Sequence, residues 1–130
     1  MKIVTAAVIQ KGGRYLIARR AAGEKLAGYW EFPGGKVEGD ETLQACLERE
    51  LLEELRVRSV ADRVLVESHY SYAHGEFLLK ALAVRLIDSD FALTVHDEVR
   101  WLSPYEILAL ELAPADIPIA EFLLGATNDA

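Results

Sequence analysis

The segment from Glu41 to Leu55 carries a leucine at every fourth position and three glutamates on the neighbouring arc, and few folds can accommodate a helix of that kind. Leu43, Leu47, Leu51 and Leu55 follow at i,i+4 steps and form one apolar stripe. A helix turns about 100° per residue, which gathers Glu50, Glu53 and Glu54 within an arc of about 100° beside that stripe. The leucines must therefore lie on a sheet or a second helix while the carboxylates stand at the margin of the core. Like charges at i,i+3 and i,i+4 repel by roughly a few tenths of a kcal/mol per pair. Two arrangements relieve that cost: a solvated face with Arg49, Arg56 and Arg58 as counter-charges, or a divalent cation. Mg2+ suits the second, because it takes oxygen ligands, uses few carboxylates and keeps positions for water and substrate phosphates.

The elements around this helix follow from propensity and turn chemistry. Lys2 to Ile9 and Arg14 to Ala18 read as strands joined by a turn at Lys11-Gly12-Gly13, and Arg19 to Gly28 reads as a loop. Tyr29 to Phe32 forms a short strand that Pro33-Gly34-Gly35 ends. Asp40 is a suitable N-cap for a helix over Glu41 to Leu55. Val57 to Tyr72 and Glu76 to Ile87 are two longer strands, antiparallel about His74-Gly75. After a short strand ending near Trp101, Ser103-Pro104-Tyr105-Glu106 matches a capping box with proline in the first turn, giving a brief helix to about Leu110. A last helix spans Ile117 to Leu124, with Gly125 as its stop and Ala126 to Ala130 as a frayed tail. The interleaving predicts one domain over residues 1–130, of α/β class, in which a mixed sheet is covered by helices on both faces.

The bulk properties narrow the partners. With 21 acidic against 14 basic residues the chain carries a formal charge of -7 and has no basic stripe, which argues against a nucleic-acid polymer as ligand. An acidic protein can still hold a polyphosphate when divalent cations lie between the two sets of negative charge. The single Cys46 excludes an internal disulfide framework, and no apolar run is long enough to cross a bilayer, so a reducing, cytoplasmic setting without membrane association is expected. Cys46 itself reads as a small core residue. His69, His74 and His96 are not spaced as a metal cluster, and no Ser-His-Asp arrangement is visible.

Gly35, five residues, Glu41, seven residues, then Arg49-Glu50-Leu51-Leu52-Glu53-Glu54-Leu55-Arg56-Val57 resembles the Nudix box. The resemblance implies a Nudix α/β/α sandwich and a divalent cofactor, Mg2+ or alternatively Mn2+. It implies Glu50 and Glu54 as principal metal ligands, Glu53 as a further ligand or water-orienting base, and a backbone carbonyl of Gly34 or Gly35 in the metal shell. Glu41 and Arg49 look like the internal ion pair of the box, a structural role. The glycines of the turn suit this reading, since a residue without Cβ can take positive φ and let backbone groups come close to a metal or phosphate. The chain departs from the pattern at Arg56, where the family has a glycine that closes the helix.

Further segments, Ala18-Arg19-Arg20, Trp30 to Glu38, Arg100 to Pro104 and Leu112 to Pro118, resemble the MutT and CTP pyrophosphohydrolase branch of that family. This implies attack of water at the β-phosphorus of a nucleoside triphosphate, giving a nucleoside monophosphate and pyrophosphate, in the context of nucleotide pool sanitation and DNA repair. Cytosine nucleotides, modified ones such as 5-methyl-dCTP, and 8-oxo-dGTP are the implied substrates. Asp116 falls where the branch reads the base: an ionised carboxylate would accept from the cytosine amine, a protonated one would donate to an oxidised guanine. It is equally a good N-cap for the helix that follows. Phe32, and with less support Trp30, are candidates to stack on the base against the simpler reading of core aromatics, and Arg20 and Lys36 are candidates for phosphate contacts. Relatives often carry a glutamate where this chain has Val95, just before His96, so that Asp97 or Glu98 would have to replace it or the helix would supply the base alone. Hydrolysis of ADP-ribose or a dinucleoside polyphosphate, and nucleotide binding without cleavage, are the competing functions. The chain is expected to act as a monomer or homodimer.

Overall fold

The computed structural model describes residues 1–128 of the chain, so that Asp129 and Ala130 of the expected tail lie outside the described residues. Six strands and three helices alternate along it: β1 (Lys2–Lys11), β2 (Arg14–Arg20), β3 (Trp30–Glu31), α1 (Leu43–Leu55), β4 (Ser59–Tyr72), β5 (Gly75–Leu86), β6 (His96–Leu102), α2 (Pro104–Leu108) and α3 (Ile117–Asn128), the last entered through a 3-10 turn at Pro114–Asp116. The strands form one mixed sheet in the order β3-β2-β1-β5-β4, with β6 on the other edge of β2. β4 and β5 are the expected antiparallel hairpin, whereas β1 and β5 run parallel, from Lys2↔Phe77 to Ile9↔Val84.

Alternation along the strands sorts apolar side chains into two layers. Ala7, Ile9, Leu16, Leu82 and Val84 meet Leu47, Leu51 and Leu55 of α1 on one face. Ala6, Val8, Tyr15, Ile17, Leu79 and Ala81 meet Ile107 of α2 and Ile119, Ala120 and Leu123 of α3 on the other. The fold is therefore the expected α/β/α sandwich.

β1 and β2 pair only at the turn between them, Gln10↔Tyr15 and Lys11↔Arg14, and then diverge. The opening is filled by the chain from Trp30 to Val37. β3 pairs with β2 at Ala18↔Glu31 and Arg19↔Trp30, while Pro33 and Gly35 accept from the amides of Ala7 and Thr5 on β1, and Val37 donates to Ile3. This wedge carries the glycine turn into the middle of the fold, directly in front of α1.

Three helix boundaries differ from the sequence reading. α1 starts at Leu43 behind Thr42, whose hydroxyl accepts from Ala45 N–H, so Thr42 and not Asp40 is the N-cap. Residue 41 stays outside the helix because its carboxylate is used by Glu38 N–H and by Arg49. α3 continues through Gly125 to Asn128: packing of Ile119, Ala120 and Leu123 sustains a helix that local propensity would have ended. α2 stops at Leu108, short of Leu110, although its capping box at Ser103 and Glu106 forms in both halves.

Candidate active site

α1 sets a gradient of exposure along its acidic arc. Glu53 is open to solvent, Glu50 is largely covered and Glu54 is buried, at 6% exposure, because it lies nearest the leucine stripe. Burial raises the Glu50 carboxyl above its usual range against the opposing pull of Arg49. Burial, reinforced by Glu31 and Glu50, pushes Glu54 up to about 8, while Arg20 and the Gly34 amide pull the other way. Glu54 Oε1 has no hydrogen-bond partner.

Facing Glu54 stand two residues from the sheet. Glu31 on β3, Glu54 on α1 and His96 on β6 each offer a ligand atom within 4.8 Å of the others. His96 Nε2 lies 2.8 Å from Glu31 Oε2, and Arg20 Nη1 donates to the same oxygen at 3.0 Å. A register shift between Arg19 and Arg20 pairs Arg20 with His96 across β2 and β6, which brings both beside Glu31. The unpartnered, buried Glu54 oxygen and the nearby oxygen and nitrogen donors fit a divalent cation. Glu31 and His96 were not singled out as site residues from sequence; the one signal was a lone acid between the core aromatics Trp30 and Phe32, which alternation turns to the opposite side.

Arg49 organises the front of the helix. It donates to both oxygens of Glu41, to Glu50 at 2.9 Å, to Glu53 at 3.2 Å and to the carbonyl of Lys36 at 3.1 Å. The ion pair holds Glu41 down at about 2 and raises Arg49 above its ordinary value.

The two glycines do not take positive φ; their requirement is steric. A Cβ on Gly34 would strike the backbone carbonyl of Thr5, and one on Gly35 would strike the Glu50 carboxylate. The Gly35 carbonyl already accepts from Thr5 N–H at 2.7 Å, from the Thr5 hydroxyl at 3.0 Å and from the Cys46 thiol. Its lone pairs are thus engaged within the protein. Cys46 is buried, as expected of a core residue.

The remaining candidates separate. Arg20 is engaged by Glu31, Glu24 and the Lys25 carbonyl, so its guanidinium braces the cluster. Lys36 is exposed beside the turn. Phe32 and Trp30 are buried in the layer under α3, and the Arg100 guanidinium covers the Trp30 ring at 4.8 Å. Asp116 does not cap α3 through a helix amide: its Oδ2 accepts from Phe32 N–H at 2.8 Å. Burial, and then Glu31, hold its pKa well above the usual carboxylate value. Asp97 pairs with Arg19, and Glu98 with Arg19 and Arg100. His69 and His74 sit at the β4–β5 hairpin, and of the three histidines only His96 belongs to the grouping with Glu31 and Glu54.

A helix that presents graded carboxylates to a glycine turn, on a mixed sheet between two helical layers, defines a class: the chain belongs to the NUDIX domain family, whose model matches residues 4–121, and it is a Nudix hydrolase. Hydrolases of this family generally use divalent metals, in keeping with the grouping of acids and histidine. The chain is 41% identical over 123 residues to the CTP pyrophosphohydrolase of Escherichia coli K12, covering 94% of this chain and 90% of that one. It is 36% identical to a Mycobacterium tuberculosis protein provisionally named 8-oxo-dGTP diphosphatase 2, covering 98% and 94% of the two chains. Among solved structures it resembles the E. coli ORF135 protein, with a TM-score of 0.83 at 36% identity over 96% of this chain and 89% of that one. Among the described residues no helix is long and apolar enough to cross a membrane.

Proposed function

We propose that the protein is a Mg2+-dependent nucleoside triphosphate pyrophosphohydrolase that releases a nucleoside monophosphate and pyrophosphate, acting on (d)CTP, modified cytosine nucleotides or 8-oxo-dGTP. The observation that carries this reading is the buried, unpartnered carboxylate of Glu54 beside Glu50 and the glycine turn, in a chain whose curated relatives are named for nucleotide hydrolysis. Glu50, Glu53, Glu54 and the carbonyl of Gly34 would hold Mg2+, or Mn2+ in its place. Bound there, the cation neutralises phosphate charge and lowers the pKa of a coordinated water.

The chain's own residues do the rest. Arg49, locked by Glu41, fixes Glu50 and Glu53 and ties the helix to the turn through the Lys36 carbonyl. Glu53 is open to solvent, as a base that accepts a proton from attacking water must be. Lys36, exposed beside the turn, would meet a phosphate lying beyond it. Asp116 offers its second oxygen to the base: with Oδ2 taken by Phe32, burial favours an Oδ1–H donor, which matches a carbonyl of oxidised guanine, while the ionised form matches the cytosine amine. Phe32 sets the position of Asp116 through its backbone N–H. The enzyme is read as a cytoplasmic monomer or homodimer serving nucleotide pool sanitation.

The deciding measurement is a panel of ordinary and modified nucleoside triphosphates, ADP-ribose and dinucleoside polyphosphates, scored by kcat/KM and by product. Pyrophosphate released only with Mg2+, and lost by orders of magnitude in Glu50→Gln at an unchanged melting temperature, is the expected result. Nucleotide binding without any pyrophosphate would make the protein a binding module instead. Asp116→Asn on the best substrate tests the base assignment, and unchanged selectivity removes Asp116 from it.

A further inference from the structure

Glu31 groups with the buried helix acid Glu54, yet it comes from a two-residue strand at the start of the wedge. Both of its charged or polar side-chain partners, Arg20 and His96, bond to one oxygen, Oε2. That arrangement holds the carboxylate by one oxygen, and Glu31 and Glu54 offer ligand atoms within 4.8 Å of each other. Arg20 pairs with Glu31 and Arg49 with Glu50, while Glu54 Oε1 is buried and without a hydrogen bond. An orphaned buried oxygen next to a second carboxylate is costly unless something positive comes between them. His96 is itself buried, and its Nδ1 has no partner, so its ring serves the cluster only through Nε2.

The two acids that sequence offered for this role are occupied elsewhere. Asp97 and Glu98 follow His96 on β6, but their carboxylates turn to Arg19 and Arg100 on the outer surface. Resting on the metal reading of the helix given above, we infer that Glu31 is a ligand of the same cation site, presented from β3 opposite Glu54 and held by Arg20 and His96. The carboxylate missing at Val95 is thereby supplied from a different strand. Arg20 and His96 are positioning residues in this scheme: they orient Glu31 and do not touch the substrate.

Mn2+ alone, titrated into the full chain and followed by electron paramagnetic resonance, tests this without any turnover. Glu31→Gln should weaken Mn2+ binding by about tenfold or more, a loss comparable with removing groups that merely support a ligand. Glu54→Gln should weaken it similarly, and Glu98→Gln should leave it unchanged. If Glu54→Gln weakens binding and Glu31→Gln does not, the assignment of Glu31 is overturned while the helix keeps its metal. If neither does, both readings fall. Crystals of the unmodified protein soaked in Mn2+ give the answer independently of how well the variants fold: an anomalous peak bonded to a Glu31 oxygen supports the assignment, and one bonded only to α1 carboxylates overturns it.

Discussion

Arg49 and Glu41 form a two-pronged pair, Nε to Oε2 at 2.7 Å and Nη2 to Oε1 at 2.9 Å, across eight residues of chain. Geometry of this kind is pre-organised by the planar guanidinium and stronger than a single contact. Through it the loop before α1 is fastened to the middle of the helix, and the same guanidinium goes on to Glu50 and Glu53.

The pH dependence of stability should show this pair. Arg49, and then Glu38 N–H, hold Glu41 at about 2 against an ordinary value of 4.5, so its ionised form favours the folded state. That contribution is complete above about 4.5 and disappears as the pH falls toward about 2. Chemical denaturation of the metal-free protein should show Glu41→Gln less stable than the parent at neutral pH, with the gap closing across that window. A gap that persists unchanged at the acid end contradicts it.

Glu54 has the opposite sign. Its folded value of about 8 lies above the unfolded one, so the benefit of a protonated, buried carboxyl is complete below about 4.5 and lost as the pH rises through about 8. Without divalent cation, Glu54→Gln should be more stable than the parent at pH 8 by on the order of 2 kcal/mol, with little difference below pH 4.5. Saturating Mg2+ should reverse the order by stabilising only the parent, and turnover by the variant should drop by orders of magnitude. Equal melting temperatures in chelator at alkaline pH would contradict the burial argument.

The adjacent glycines should fail differently. Gly34→Ala drives a methyl group into the backbone of β1 and should cost roughly 1–3 kcal/mol, read from urea midpoints. Gly35→Ala meets only the end of the Glu50 side chain, which can swing aside. Its stability should change less, while activity falls by at least about tenfold because Glu50 is no longer placed. Similar melting losses in both variants would refute the distinction.

At the end of α1, Arg56 occupies a left-handed conformation, φ +58°, with its N–H donating to Leu52. The backbone has kept the geometry that a glycine gives its relatives and bears the strain of a side chain there. Arg56→Gly should raise stability by about 0.5–1 kcal/mol in thermal or urea melts and leave the activity unchanged.

What could be read from sequence was local. The leucine stripe, the acidic arc, the Glu41–Arg49 pair and the Ser103 capping box each lie within a few helical turns, and each formed. What escaped depended on pairings between distant strands. Glu31 meets Glu54 and His96 only because β1 and β2 part and the wedge enters, and because a register shift brings Arg20 opposite His96. No spacing along the chain encodes that meeting. Gly125 misled in the same way, since a glycine ends a helix locally but not one whose preceding turns are held down by packing.

The parallel pairing of β1 with β5 also orders events at birth. Lys2 finds its neighbour at Phe77, so β1 must wait for the chain as far as β5 before its central edge is covered. Until then Ala6, Ala7, Val8 and Ile9 are an apolar ribbon whose earlier companions are β2, joined at two positions, and the wedge. The wedge and its glycine turn, which lean on that ribbon, are consequently among the last parts able to settle.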